Sequence, residues 1–467
     1  MYARNLTRKS VPLGLAALVA LQAAGCALTP PSRSAFHATA PWISPDKSVH
    51  RWTFPNGLKL LVLEDHSSPT FAWQTWFRVG SRDEQTGRTG LAHLFEHMMF
   101  KGTQFRADGE FDRLLDEAGA EGQNAFTSHD HTAYVEELPI ESLELVASLE
   151  SERMRGLLVD EKAFKTERDV VQNERRMRTE NSPDGTLYQE LFNLAFEKQS
   201  YRWPVIGYAR DLEQMNAQDA REFYDRWYRP NNATLVIVGD VNPAAIHSLV
   251  ESKYGSFEAG MLPARNDAKD AVAKIPRRLE MEMNIQADKL MMGYPVPEAL
   301  HGDTPAILLL DAILAAGNSS RLHRALVETG VASSVYGYPL MNVAPSLYIV
   351  GAALQSGHRA SEAEEIILNE ISKLTWIPPT QAEIERALNQ MEFSFFEGLN
   401  SNAEIAGFLG QAETDLGSFE REFEFRNALK KVSATDIQKV AGRWLRKQGR
   451  STVIGTPKKT GKMERKK

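Results

Sequence analysis

The chain has 467 residues, more than one hydrophobic core holds, since single cores stop growing at about 250–300 residues. With 42% hydrophobic and 25% charged residues it is neither a disordered nor a multi-span membrane chain, and a net charge of −7, with both signs spread along the sequence, offers no face for nucleic acid. The single cysteine, Cys26, excludes an intrachain disulfide and a thiolate metal cluster.

At the N-terminus, Arg4, Arg8 and Lys9 precede an apolar stretch over 11–25 that is short for a membrane span. It ends in Ala23-Ala24-Gly25-Cys26, which resembles a bacterial lipobox. The resemblance implies a signal peptide over 1–25 and a lipid anchor on Cys26. Ala27 after the cysteine, where Asp would signal retention, implies the outer membrane, with the folded part in the cell envelope facing the periplasm. An ordinary signal peptide cut nearby remains the alternative. Loss of Arg4, Arg8 and Lys9 takes the charge from −7 to −10. Residues 26–47, rich in Pro, Ser and Ala without an apolar period, are expected to be a tether.

The rest divides into a domain over 48–255, a linker over 256–277, a second domain over 278–457 and a basic tail over 458–467. Two strand-like runs flank the turn Pro55-Asn56-Gly57. A strand over 70–79 places Phe71, Trp73, Thr75 and Phe77 on one face. A helix follows over 90–100, stopped by Gly102, then a helix near 109–119 and a strand near 124–137. Helical stretches over 140–154, 160–180 and 217–228 lead to a buried strand over 233–238. The second half has a strand near 289–295 and a helix over 304–316 closed by Gly317. Ser361-x-x-Glu364, Thr380-x-x-Glu383 and Ser433-x-x-Asp436 have capping-box spacing or a near relative of it and mark three later helix starts. One element order in both halves predicts a duplication.

The helix over 90–100 reads GLAHLFEHMMF. His93 and His97, four apart, project from one face at the spacing that grips one tetrahedral zinc. Glu96 lies near that face and can reach a water beside the metal. The order His-x-x-Glu-His inverts the common zinc-protease motif. This segment alone still allows a core helix with two ordinary histidines. A catalytic zinc needs a third protein ligand, and downstream runs Thr166-Glu-Arg-Asp-Val-Val-Gln-Asn-Glu-Arg-Arg176, with Glu167 and Glu174 two helical turns apart on one face.

Here the sequence resembles the M16 (insulinase/pitrilysin-like) metallopeptidases, the inverzincins, closest to the two-domain processing-peptidase branch. The resemblance implies that His93, His97 and Glu174 bind one Zn2+ and that Glu96 is the general base. Glu167 matches a glutamate that supports activity from beside the metal; its alternative is a solvated charge on an exposed helix. Gly122-Gln-Asn-Ala-Phe-Thr-Ser128 with Thr132-Ala-Tyr134 is similar to the family's edge strand, where Asn124 and Ala125 would contact a peptide substrate added as a β-strand. Tyr201-Arg-Trp-Pro-Val-Ile-Gly207 and Tyr228-Arg-Pro-Asn-Asn232 also resemble family blocks. The family site does not use His129 and His131, which are therefore expected to be surface or groove histidines.

The implied fold is α+β: two homologous domains, each a mostly antiparallel sheet with helices against one face, in a clamshell. The second copy sets LLLDA over 308–312 against the motif, keeping an acid, Asp311, but no histidine. Glu385 and Glu392 echo Glu167 and Glu174 there, and one zinc per chain follows. Self-sufficient relatives carry an Arg and a Tyr in the segment matching 320–334; here Val327 and Ser333 stand in those places, with Arg321 or Arg324 as possible substitutes. The implied partner is a zinc-less paralogue supplying the Arg/Tyr pair, or a second copy of the chain. The implied activity is endopeptidase cleavage, against the alternative of a non-catalytic structural or peptide-binding lipoprotein.

Overall fold

The computed structural model describes residues 36–39, 48–265 and 268–458. Cys26, the signal segment, most of the expected tether and all of the basic tail but Lys458 lie outside the described residues. Among those described, no helix is long and apolar enough to cross a membrane.

The strands are β1 (Phe36–Thr39), β2 (Ser48–Thr53), β3 (Lys59–Glu64), β4 (Thr70–Phe77), β5 (Glu121–Thr127), β6 (Thr132–Pro139), β7 (Ala233–Gly239), β8 (Arg277–Met283), β9 (Lys289–Val296), β10 (Ala332–Pro339), β11 (Ser346–Leu354) and β12 (Ser451–Pro457). β1 falls within the expected tether and pairs antiparallel with β2, so the middle of that segment is part of the sheet. The run expected as one strand near 124–137 is a hairpin, β5 and β6 joined by a turn at 128–131.

Among the described residues the strands form two sheets, in the orders β1-β2-β3-β7-β4-β6-β5 and β10-β11-β9-β12-β8. The duplication is visible here. Read from β3, the first order 3-7-4-6-5 matches 8-12-9-11-10 strand for strand. In each sheet one pair is parallel, β3 with β7 and β8 with β12, and the other matched pairs are antiparallel.

One face of each sheet carries the helices of its own half. Phe71, Trp73 and Phe77 of β4 join Leu94, Phe95 and Met98 of the Leu91–Met98 helix in the first core. Leu290 and Met292 of β9 meet Leu309 and Ile313 of the Thr304–Leu314 helix in the second. The expectation of helices on one face alone is incomplete, because each half lends a helix to the other. Ile405, Ala406 and Leu409 of the Asn402–Asp415 helix cover Leu61, Trp76 and Val236 on the far face of the first sheet. Reciprocally, Leu187, Leu191 and Phe192 of the Pro183–Ala195 helix cover Met291, Leu347 and Val453 of the second sheet. Gly410 permits the first contact, since a Cβ there would lie 2.1 Å from the Trp76 indole nitrogen. Strand β4 is thus buried on both faces, which its alternating pattern does not announce.

The helix starts at Thr380 and Ser433 carry the expected capping boxes. Ser361 does not cap: the Ala360–Trp376 helix already begins before it, at Ala360, with the extended Arg359 in the cap position. Ser401-x-x-Glu404, with the same spacing, does cap the lent Asn402–Asp415 helix.

Candidate metal centre

The Leu91–Met98 helix is held at its start by an unusual cap. Gly90, at φ 91°, has no side chain to offer. The Glu84 carboxylate accepts instead from Gly90 N and Ala92 N, both at 2.8 Å. A carboxylate at a helix N-terminus satisfies orphan donors and complements the helix dipole. A Cβ on Gly90 would strike Ile206 O at 2.6 Å, so this end of the helix rests directly on the Tyr201–Gly207 block. Thr89 adds a bond to Asp211 (2.7 Å) and accepts from Tyr208 N (3.0 Å). The facing Glu161–Arg175 helix starts with Asp160 accepting from Ala163 N and packs against the first.

Between these helices the three expected ligands converge. The Nε2 atoms of His93 and His97 lie 3.7 and 3.5 Å from Oε2 of Glu174. Zinc bonds of about 2.0–2.1 Å in tetrahedral geometry put ligand atoms about 3.3–3.4 Å apart, so the set is within a few tenths of an ångström of closing on one ion. Among the described residues these three form the group able to hold a metal. The other oxygen of Glu174 is held by Arg178 at 2.8 Å, which leaves Oε2 pointing at the histidines. Nδ1 of His93 is buried without a hydrogen-bond partner.

The two imidazoles differ. Burial pushes His93 down to about 4, so it is neutral, as a ligand must be. Burial also disfavours charge on His97, but Glu167 and Glu174 outweigh it and raise that group to about 9. Glu167 Oε2 sits 3.5 Å from Nδ1 of His97, and its Oε1 meets Lys101 at 2.9 Å. Glu167 is therefore buried between two cations rather than solvated. A carboxylate on the far nitrogen of a ligand histidine fixes its ring and tautomer.

Glu96 is buried on the same helix, and burial raises it to about 7. Its Oε2 accepts from Thr127 Oγ1 at 2.5 Å. Thr127 ends β5, the outermost strand of its sheet. On that strand Asn124 is exposed and Ala125 buried, and Asn124 Oδ1 accepts from Ala125 N at 2.9 Å.

Thr127, Lys101, Arg178 and Glu84 had not been singled out. Thr127 lies in the 122–128 segment and Arg178 in the 160–180 stretch already noted, but only the folded chain brings them to the acids they hold. His129 and His131 are neither surface nor groove residues. His129 is 8% and His131 5% exposed. His129 Nδ1 meets Ser81 Oγ at 2.7 Å, and His131 Nδ1 meets the Asp415 carboxylate at 2.9 Å. Of the two candidate stand-ins for a catalytic arginine, Arg321 is clamped by both oxygens of Glu383, at 2.8 and 2.9 Å. Arg324 Nε donates to Ser320 O at 3.5 Å, and Ser333 Oγ donates to Ala353 O.

Comparison with known proteins adds three observations. The family model described as insulinase (peptidase family M16) matches residues 59–207, and that described as the peptidase M16 inactive domain matches 214–391. The chain is 28% identical over 414 residues to "Zinc protease PqqE" of Helicobacter pylori, covering 87% of this chain and 92% of that one, and 27% identical to "Uncharacterized zinc protease YmxG" of Bacillus subtilis, covering 84% and 94%. Its fold superposes on the crystal structure of a protease from Helicobacter pylori with a TM-score of 0.84 at 27% identity, over 88% of this chain and all of that one.

Proposed function

Since the chain belongs to the M16 insulinase family of peptidases, we propose that it is a zinc-dependent endopeptidase cleaving peptides or unfolded protein segments in the cell envelope. The observation that carries this reading is the ligand triangle of His93, His97 and Glu174 with the buried acid Glu96 beside it.

Zinc, when bound, polarises a scissile carbonyl and lowers the pKa of a coordinated water towards about 7. The rest falls to the chain. His93 offers a nitrogen already neutral, while His97 releases its proton on ligation. Glu167 takes the hydrogen bond from the remaining nitrogen of His97 on one oxygen, while its other oxygen pairs with Lys101. Thr127 occupies Oε2 of Glu96, which leaves Oε1 to accept the proton of the attacking water and pass it to the leaving amine. A carboxyl held near 7 suits both transfers at neutral pH. Asn124 and Ala125 on the outer strand would receive the substrate backbone as an added strand.

Val327 and Ser333 supply no equivalent of the Arg/Tyr pair, and Arg321 is committed to Glu383. A zinc-less paralogue carrying that pair, or a second copy of the chain, would complete the site. The lipobox-like segment supports a lipid anchor at Cys26, and Ala27 after it supports an outer-membrane position facing the periplasm.

The test is direct. The purified chain should hold about one zinc and cleave a quenched peptide in a chelator-sensitive way, faster with the paralogue added. A zinc-loaded chain with no hydrolysis, alone or in the mixture, would favour the non-catalytic lipoprotein instead. Equal rates with and without the paralogue would remove the partner.

A further inference from the structure

The turn at 128–131, between β5 and β6, takes no part in the chemistry above, yet it is bonded on every side. Internally, Ser128 N donates to His131 O at 2.8 Å, and Ser128 Oγ accepts from Asp130 N and His131 N. Beneath it, Ser81 N and Arg82 N donate to Ser128 O and His129 O at 3.1 and 3.0 Å. Gly80 allows that approach, because a Cβ there would lie 2.5 Å from both carbonyl oxygens.

The same turn reaches the second half of the molecule. Asp130, 4% exposed, accepts from Arg82 (2.9 Å), Tyr201 OH (2.8 Å) and, across the divide, Val343 N (3.1 Å). Tyr201 OH in turn accepts from Ala344 N at 3.1 Å. Val343 and Ala344 lie in the loop between β10 and β11, the duplicated counterpart of this turn, so the two matching hairpin tips touch. His131 adds its bond to Asp415 on the lent Asn402–Asp415 helix. The residue immediately before this anchored turn is Thr127, which holds Glu96.

We propose that Asp130 and His131 are positioning residues: seating of the second half on the turn sets Thr127, and through it the orientation of Glu96. This rests on the reading of Glu96 as the base. It makes the second half part of the alignment of the base, although that half contributes no ligand to the His93–His97–Glu174 set. Without the cross-bonds, β5 is an outermost strand whose sheet pairing among the described residues is with β6 alone, and its last residue loses its fixed end.

The test uses the full chain with Asp130→Asn and, as a milder change from the opposite side, Asp415→Asn. Amide hydrogen exchange over 121–132 should rise about tenfold while the Glu161–Arg175 helix is unchanged, which is local loosening rather than global unfolding. Per zinc-loaded enzyme, kcat should fall about tenfold, since small misplacements of catalytic groups carry penalties of that size. Thr127→Val removes the link itself, so Asp130→Asn should cost less than about twofold more in that background. Unchanged exchange over 121–132 in the folded variants would overturn the proposal, as would fully additive losses with Thr127→Val. A wild-type chain with no peptidase activity strikes the base assignment, and the exchange measurement then decides the coupling alone.

Discussion

The two halves share one strand order, one parallel pair and one exchanged helix, yet their corresponding helices carry opposite chemistry. In the first half the Leu91–Met98 helix places two histidines and an acid towards the Glu161–Arg175 helix, where carboxylates, Lys101 and Arg178 meet them. In the second, every residue of the Thr304–Leu314 helix is buried. Its acid, Asp311, is held by Tyr348 OH at 2.8 Å, with Leu308 and Ala312 where the histidines would stand. Both acids are raised by burial to about 7. A perturbed carboxyl is therefore not enough to mark a catalytic site; the difference lies in whether a group able to hold a metal stands beside it.

The sharpest way to break this contrast is at Glu96. Glu96→Gln keeps the shape and the Thr127 contact but cannot take a proton; peptide turnover should fall about 10²–10⁴-fold with zinc content unchanged. Persistent hydrolysis would remove Glu96 from the mechanism. Glu174→Ala should instead lose metal and activity together, read by metal analysis after dialysis. Retention of about one zinc per chain would mean that the ligand set is wrong. Glu167→Gln should weaken zinc binding by about 10–100-fold, the usual cost of removing the partner of a ligand histidine. Competition with a zinc chelator measures it.

The smallest effect belongs to the second half. Asp311 has an ordinary value of 3.8 and is raised to about 7 by burial, against the opposing bond from Tyr348. Its contribution to stability is fully present below about pH 4, where folded and unfolded forms are both protonated. It declines as pH rises to about 7. Asp311→Asn should flatten that part of the stability–pH curve relative to wild type, without changing zinc content or turnover. Thermal melts between pH 4 and 7 decide it, and an altered turnover would show that the second acid has a role in the chemistry.

Much of this was legible in the sequence because it is written locally. The histidine spacing, the seven-residue step from Glu167 to Glu174 and the capping boxes at Thr380 and Ser433 are all read within a few helical turns. The duplication followed from element order. What could not be read depends on distant pairing. Nothing near Trp76 says that Gly410, 334 positions later, will pass over its ring, nor does the sequence around His131 foretell Asp415. His129 and His131, expected at the surface or in a groove because the family site does not use them, are covered by such distant pairings: His129 by Ser81, Phe192 and Tyr201, and His131 by Asp415. Ser361 failed as a cap because the backbone had already become helical at Ala360.

The exchanged helices have a consequence for how the chain is made. When the ribosome has finished residue 255, the first sheet has all its strands but one face, including Leu61, Trp76 and Val236, still lacks its cover. That cover is translated only with residues 402–415, some 150 residues later. The first half therefore waits, one apolar face uncovered, for its duplicate to emerge, and the two halves are expected to reach the native state as one cooperative unit. The first half expressed alone should be insoluble, whereas a cut in the intervening linker of the finished protein should leave the two pieces clasped.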